Sequence, residues 1–264
     1  MQTPAENLRL FKYVPPERID ILENEKIAFT PPERFKDPFE FRIGITKGTL
    51  RSKLREVITQ AERRAELTMP GYKELSPRQR RKGRKEMLRQ QKVSEQFENA
   101  FHNSLKAHVW PVGILCLCET NDSNLMWYHY ADGHKGFVIE LDSKHESIIR
   151  LGKPWKVDYL EKPVSFDHTK PTPELFRFKP SYLKYEAERR IVRHQNEFVP
   201  EKGEDGLPLY FWRLPRVGLK SVYFGHRMES NLRSRIIELL SGQPAQKFDF
   251  VPSKQDYTFR FEPF

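Results

Sequence analysis

Apolar positions along the first part of the chain come in short clusters separated by charge and proline. Residues 10–13 (Leu-Phe-Lys-Tyr) predict a short strand, 19–22 a short helix, and 26–30 a second strand ended by Pro31-Pro32. Phe35-Lys36-Asp37-Pro38-Phe39-Glu40-Phe41 reads as a turn into an extended piece. Leu50, Leu54, Val57, Ile58, Ala61 and Ala65 then recur with the spacing of one helical face, up to Pro70-Gly71. Ser76-Pro77 opens a second helix as N-cap and first-turn proline, and Phe97, Phe101 and Leu105 lie four apart in its later half.

Strand patterns return at 113–119 and 137–141. Between them Asn121-Asp122-Ser123 offers N-caps for a helix over 124–131, followed by a turn at Asp132-Gly133-His134-Lys135-Gly136. Ser143 and Glu146 have capping-box spacing and predict a helix to about residue 150. A strand over 155–160, a proline-containing loop over 161–180 and a helical turn over 181–187 follow. Further strands are expected at 189–193, 209–214, 219–224 and 257–261. A helix over 230–240, with Leu232, Ile236, Leu239 and Leu240 inward, stops at Gly242. Strands and helices alternate without a βαβ rhythm, so the expected fold is α+β, one domain over 1–264 carrying a helical insertion over 48–108. No internal repeat, glycine-rich phosphate loop or low-complexity linker is present.

With 264 residues, 38% hydrophobic and 12% aromatic, the chain can build one or two ordinary cores. Its longest uncharged stretch, 107–118, is 12 residues, against the roughly 20 that span a bilayer. The first 12 residues are charged and unlike a secretory leader, so a cytoplasmic protein without membrane contact is expected. Cys116 and Cys118 are the two cysteines. On one strand they would share a face about 6.5–7 Å apart, too far for an easy disulfide. Of the remaining zinc-type ligands His129 and His134 alone lie near in sequence, and the pattern favours buried thiols over a metal site.

Charge is concentrated. Residues 51–93 hold fourteen basic and five acidic side chains, which accounts for +9 of the net +10. Arg78, Arg80, Arg81, Lys82, Arg84 and Lys85 crowd the first turns of the second helix. Such a run is either a solvated polar face or a surface that tracks the phosphates of RNA or DNA.

Three stretches are denser in functional residue types than packing requires. They are Leu10-Phe11-Lys12-Tyr13, the block from Met126-Trp127-Tyr128-His129-Tyr130 to Gly136, and Lys184-Tyr185-Glu186-Ala187-Glu188-Arg189-Arg190-Ile191-Val192. Together with the Phe35 to Glu40 turn and the strand from Leu219 to Gly225, they resemble an uncharacterised bacterial family catalogued as domain of unknown function 2971. The resemblance covers roughly 200 residues, all but the basic insertion. More distantly, the opening strand, the helix with Ile21-Leu22 and the strand from Lys26 resemble the start of ADP-ribosyltransferases, with Lys12 or Tyr13 where many of those enzymes carry His or Arg.

That second resemblance implies an ADP-ribosyltransferase-like fold of mixed and antiparallel sheets, NAD as substrate, and a catalytic glutamate at the start of a late strand, here Glu188. A fixed carboxylate on a ribose hydroxyl would stabilise the oxocarbenium-like charge of glycosidic cleavage. Trp127, Tyr130 and Tyr13 are candidates to stack nicotinamide, Lys12 or Arg190 to hold pyrophosphate, and His129 to orient a ribose hydroxyl. The reading is a mono-ADP-ribosyltransferase of the toxin or phage-defence type, bacterial or phage in origin, directed at nucleic acid or a nucleic-acid-associated target and open to control by an antitoxin-like partner. The alternatives stay open: Trp127 and Tyr130 as core, His129 as a structural histidine, Glu186, Glu188 and Arg190 as ion pairs on a strand face, and the whole chain as a non-catalytic nucleic-acid binder. A nuclease would need clustered carboxylates such as Asp37, Glu40, Glu186 and Glu188 around metal ions.

Overall fold

The structure is a computed structural model that describes residues 8–41, 47–90, 111–164, 173–203 and 205–264. Its elements are β1 (Leu10–Val14), α1 (Asp20–Glu23), β2 (Lys26–Phe29), α2 (Lys47–Thr68), α3 (Pro77–Gln90), β3 (Val112–Cys118), α4 (Asn124–Tyr130) and β4 (Phe137–Leu141). There follow α5 (Glu146–Ile149), β5 (Trp155–Lys156), β6 (Asp158–Leu160), β7 (Phe178–Pro180), β8 (Glu188–His194), β9 (Glu201–Lys202), β10 (Pro208–Arg213), β11 (Leu219–Phe224), α6 (Ser230–Leu239), β12 (Gln246–Pro252) and β13 (Phe259–Pro263). The chain divides into two compact units, one of Met1–Phe41, Pro111–Glu161 and Pro173–Phe264, the other of Arg42–Trp110 and Lys162–Thr172.

In the first unit eight strands form one mixed sheet in the order β13-β12-β11-β4-β1-β3-β8-β5. Its one parallel pair is β11 with β12, which needs the crossover that α6 supplies. Alternation sorts side chains onto two faces. Leu10 and Val14 of β1 and Phe137, Ile139 and Leu141 of β4 enter the larger core with Ile236 and Leu240. Phe11, Tyr13 and Val138 enter a second, aromatic core with Trp127, Tyr223 and Phe250. The α+β expectation holds, as a mixed sheet with several helices.

The sheet opens between β1 and β3, which share one registered pair, Phe11 with Cys118. Beside it the Lys12 ammonium donates to the Cys116 carbonyl at 3.0 Å, and Thr30, just after β2, bridges Ile114 further along β3. A side-chain amine thus holds a β3 carbonyl that β1 would pair in a continuous ladder, and the residue after β2 pairs with β3 beyond the end of β1.

Two glycines fix the ends of the central strands. The Gly225 amide donates to the Gly136 carbonyl at 3.0 Å, and a Cβ at either position would lie 2.1 Å from a backbone oxygen, of Val14 for Gly136 and of His134 for Gly225. Both belong to stretches singled out in the sequence, and here close backbone approach explains them.

Several local expectations need correction. The helix near 146 is capped by His145, whose Nδ1 accepts from the Ser147 amide at 3.2 Å, and Ser143 takes no part in the cap. The strand expected over 155–160 breaks at Val157, whose amide donates to the Glu188 carbonyl at 3.0 Å. Its halves join different sheets, β5 pairing with β8 and β6 running parallel to β7. The loop expected over 161–180 therefore contains a strand, and β12 is a further strand that periodicity did not reveal.

In the second unit α2 and α3 pack on each other. Ser76 and Gln79 form a capping box: the Gln79 amide donates to Ser76 Oγ at 3.3 Å and the Ser76 amide to Gln79 Oε1 at 2.8 Å. Of the expected apolar stripe, Ile58 is buried whereas Val57 and Ala61 are exposed. Phe97, Phe101 and Leu105 lie outside the described residues. No described helix is long and apolar enough to cross a membrane.

Candidate functional site

A cleft of about 570 Å³ lies where β1 and β3 part, within the size range of small-molecule sites. Its wall includes Lys12, Tyr13, Cys116, Cys118, His129, Tyr130, Glu186 and Glu188, with Lys36, Asp37 and Glu40 from the turn after β2. Residues distant in sequence meet there because β1, β3 and β8 are neighbours in the sheet.

Behind the cleft is a buried charge cluster. Arg190 is fully enclosed and grips Glu188 bidentately, Nε to Oε1 at 2.8 Å and Nη2 to Oε2 at 3.1 Å. The same guanidinium pairs with Glu40 and donates from Nη1 to the Phe176 carbonyl at 2.8 Å. Its Cζ lies 5.1 Å from the Phe41 ring centroid. The Lys179 ammonium is shared by Glu188 at 2.7 Å, Glu40 at 3.5 Å and Glu186. Glu186 also accepts from the Tyr130 hydroxyl at 2.6 Å, and the Glu188 amide donates to the Tyr159 hydroxyl at 2.8 Å. The turn that sets the two glutamates around Lys179 has Ala187 in the left-handed region, φ 42°.

Three carboxylates face two cations, so acidic groups outnumber basic ones in the cluster. The titration directions follow. Burial raises Glu40 above the ordinary carboxylate range even against Arg190 and Lys179. Burial acts the same way on Glu188, but Arg190 and Lys179 outweigh it and hold its pKa at about 2. Burial disfavours charge on Lys179 too, yet Glu188 and Glu40 overcompensate and keep it an ammonium. Lys12 has no such set of partners, and burial lowers its pKa. Burial also raises both thiols, Cys118 to about 12, so neither is a ready thiolate.

The structure brings together five of the seven residues proposed for catalysis and NAD binding: Lys12, Tyr13, His129, Tyr130 and Glu188 all line the cleft. It does not bring Trp127 there. That indole is fully buried, donates from Nε1 to the Asn121 carbonyl at 2.8 Å, and meets Tyr13, Phe250 and His134 ring to ring. Arg190 is likewise unavailable to a pyrophosphate, because its donors are committed to Glu188, Glu40 and Phe176. The Tyr13 hydroxyl is spent on the Thr120 carbonyl at 3.1 Å. Sequence reasoning missed Lys179 and Tyr159 as partners of Glu188, and Glu40 as a second carboxylate on the same two cations. Glu40 belongs to a turn that the sequence singles out, whereas Lys179 sits in an expected loop with no signal. Among the described residues no three His, Cys, Asp or Glu side chains form a metal-holding group, and Lys179 and Arg190 stand between the carboxylates that a nuclease would need.

Of the six cations expected to contact nucleic acid, all in the first half of α3, two are internal to the helix pair. Arg80 pairs with Glu66 at 2.7 Å and donates to the carbonyls of Lys73 at 2.9 Å and Leu75 at 3.1 Å. Arg84 reaches Thr59 Oγ1 at 3.0 Å and Glu62 at 3.8 Å. Arg78, Arg81, Lys82 and Lys85 are exposed.

Compared with protein families, curated proteins and solved structures, the chain matches none.

Proposed function

We propose that the cleft binds NAD and that the protein is an ADP-ribosyltransferase with Glu188 as its catalytic carboxylate. One observation carries the reading: Glu188 is a carboxylate on the cleft wall held in place by Arg190 and Lys179, which keep its pKa well below the ordinary carboxylate range. Such a group cannot act as a general acid at neutral pH. It suits instead the stabilisation of positive charge that develops nearby.

In the proposed reaction the bond between ribose C1′ and the nicotinamide nitrogen breaks heterolytically. Nicotinamide leaves with the electron pair and becomes neutral, the ribose gains oxocarbenium character beside Glu188, and an acceptor nucleophile bonds to C1′ and gives up its proton to bulk water. Water is the simplest acceptor. Lys12, held by a single carbonyl in the cleft wall, retains hydrogens for a phosphate oxygen. Tyr130, 42% exposed, and the exposed His129 present rings to a planar cation.

The test is nicotinamide release from NAD by the full chain beside Glu188→Gln, with folding of both checked by circular dichroism. Release that falls at least 100-fold in the folded variant supports the role of Glu188. Equal release by both removes Glu188 from the mechanism, and no release together with no calorimetric NAD binding refutes the proposal.

A further inference from the structure

We propose that the exposed stripe of α3 formed by Arg78, Arg81, Lys82 and Lys85 binds the phosphate backbone of nucleic acid. The inference goes beyond the NAD reading and does not rest on it.

The four residues have i, i+3, i+4, i+7 spacing, which places them on one side of a helix over about 10 Å. Neighbours at these spacings are all of like charge, an arrangement that costs a few tenths of a kcal/mol per pair. Glu86 is the one acidic residue between 77 and 90, so the helix itself supplies a single negative charge against the four positive ones of the stripe.

The stripe is not what joins the helices. That work falls to Arg80 and Arg84, which turn toward α2 and the connecting turn, with the Arg80 guanidinium also 5.4 Å from the Tyr72 ring centroid. The same short segment thus divides its arginines into two that are consumed in folding and two that, with two lysines, project into solvent.

The chemistry of the face identifies the partner. Exposed positions 78–86 of α3 carry Arg, Gln, Lys, Gly and Glu and no apolar side chain. A protein partner would need an apolar anchor near the centre of the contact. A membrane-surface helix would need an apolar face to insert, and here the opposite side packs on α2. A row of cations without an apolar component complements a linear polyanion, and counterion release supplies the driving force.

The experiment is fluorescence anisotropy of the full chain with labelled 20-nucleotide single-stranded RNA, single-stranded DNA and duplex DNA. Wild type is compared with the Arg78→Gln/Arg81→Gln/Lys82→Gln/Lys85→Gln variant between 50 and 200 mM salt. Four phosphate contacts make the salt slope steeper by about 3.6 on duplex or about 2.8 on a single strand. Wild-type affinity should therefore fall about 150-fold or about 50-fold further than that of the variant over this range. All four positions are exposed, so the variant is expected to melt like wild type.

An unchanged slope in the folded variant overturns the proposal. So does loss of the slope in a folded Arg80→Gln/Arg84→Gln variant with the stripe intact. Stripe-dependent binding confined to polyglutamate or anionic vesicles overturns it as well, in favour of an acidic protein or a membrane. RNA binding by Glu188→Gln and nicotinamide release by the quadruple variant score the two proposals separately.

Discussion

Arg190→Met is the sharpest test of the cluster behind the cleft. The substitution keeps a long apolar stem but removes both bonds to Glu188, the pair with Glu40 and the donor to the Phe176 carbonyl. Three buried carboxylates would then face Lys179 alone. Breaking a buried pair from one side costs about 3–5 kcal/mol, because the remaining charge stays desolvated. At about 2–4 °C per kcal/mol for a chain of this size, the melting temperature of the first unit should drop by about 6–20 °C.

The loss should also depend on pH. In the wild type Glu188 has a depressed folded pKa, so its stabilisation is complete above the ordinary carboxylate value of 4.5 and is lost as pH falls toward 2. In Arg190→Met burial is offset by Lys179 alone, which Glu188 shares with Glu40 and Glu186, so the Glu188 pKa rises and the folded state gains protons. The gap in stability between variant and wild type should thus narrow from pH 7 to pH 5, where wild-type Glu188 contributes no change. Adding Glu188→Gln to Arg190→Met should recover part of the loss, with a coupling of about 0.5–3 kcal/mol. Urea titrations at the two pH values, followed by circular dichroism, measure all of these. A single variant within about 1 kcal/mol of wild type, or a cycle that is additive within about 0.5 kcal/mol, would refute the account of Arg190 as the group that makes Glu188 tolerable.

Other outcomes follow from single contacts. Trp127→Phe should destabilise by about 1–3 kcal/mol, since the Asn121 carbonyl loses its donor, yet leave calorimetric NAD affinity unchanged because the indole is outside the cleft. His134, buried against Trp127 and Phe250, has an Nδ1 without a partner among the described residues, and its pKa is lowered by burial and by His226 and Arg227 to about 4. The unfolded chain takes up this proton near pH 6.5 and the folded one only near 4, so stability should fall by up to about 3 kcal/mol across that window; His134→Asn should flatten this part of the stability profile. Gly83 is exposed inside α3, and a Cβ added there would meet nothing within 4 Å, so Gly83→Ala should stabilise the helix by about 0.5–1 kcal/mol in thermal melts followed at 222 nm.

What the sequence determined by itself was local. Short apolar runs located β1, β4, β8 and β11, and N-caps at Ser76 and Ser123 located the starts of α3 and α4, because such runs and caps depend on residues a few positions apart. It also placed Glu186 and Glu188 among the candidate residues and concentrated the charge in one segment. It did not separate core from site among side chains of one chemical type. Trp127 and Tyr130 share a short helix, and only packing against β1 and β12 buries the first while the second faces the cleft.

Tertiary structure alone decided the partners of Glu188. Arg190 is two residues away, but Glu40 is 150 residues from Arg190 along the chain, and Lys179 comes from a stretch with no periodic signal. The same holds for the division of the α3 arginines, since Arg80 and Arg84 differ from Arg81 only in which side of the helix meets α2. The physical reason is one of range: hydrogen bonding and alternation are fixed by neighbours in sequence, whereas desolvation and Coulomb coupling are fixed by whatever the fold brings within a few ångströms.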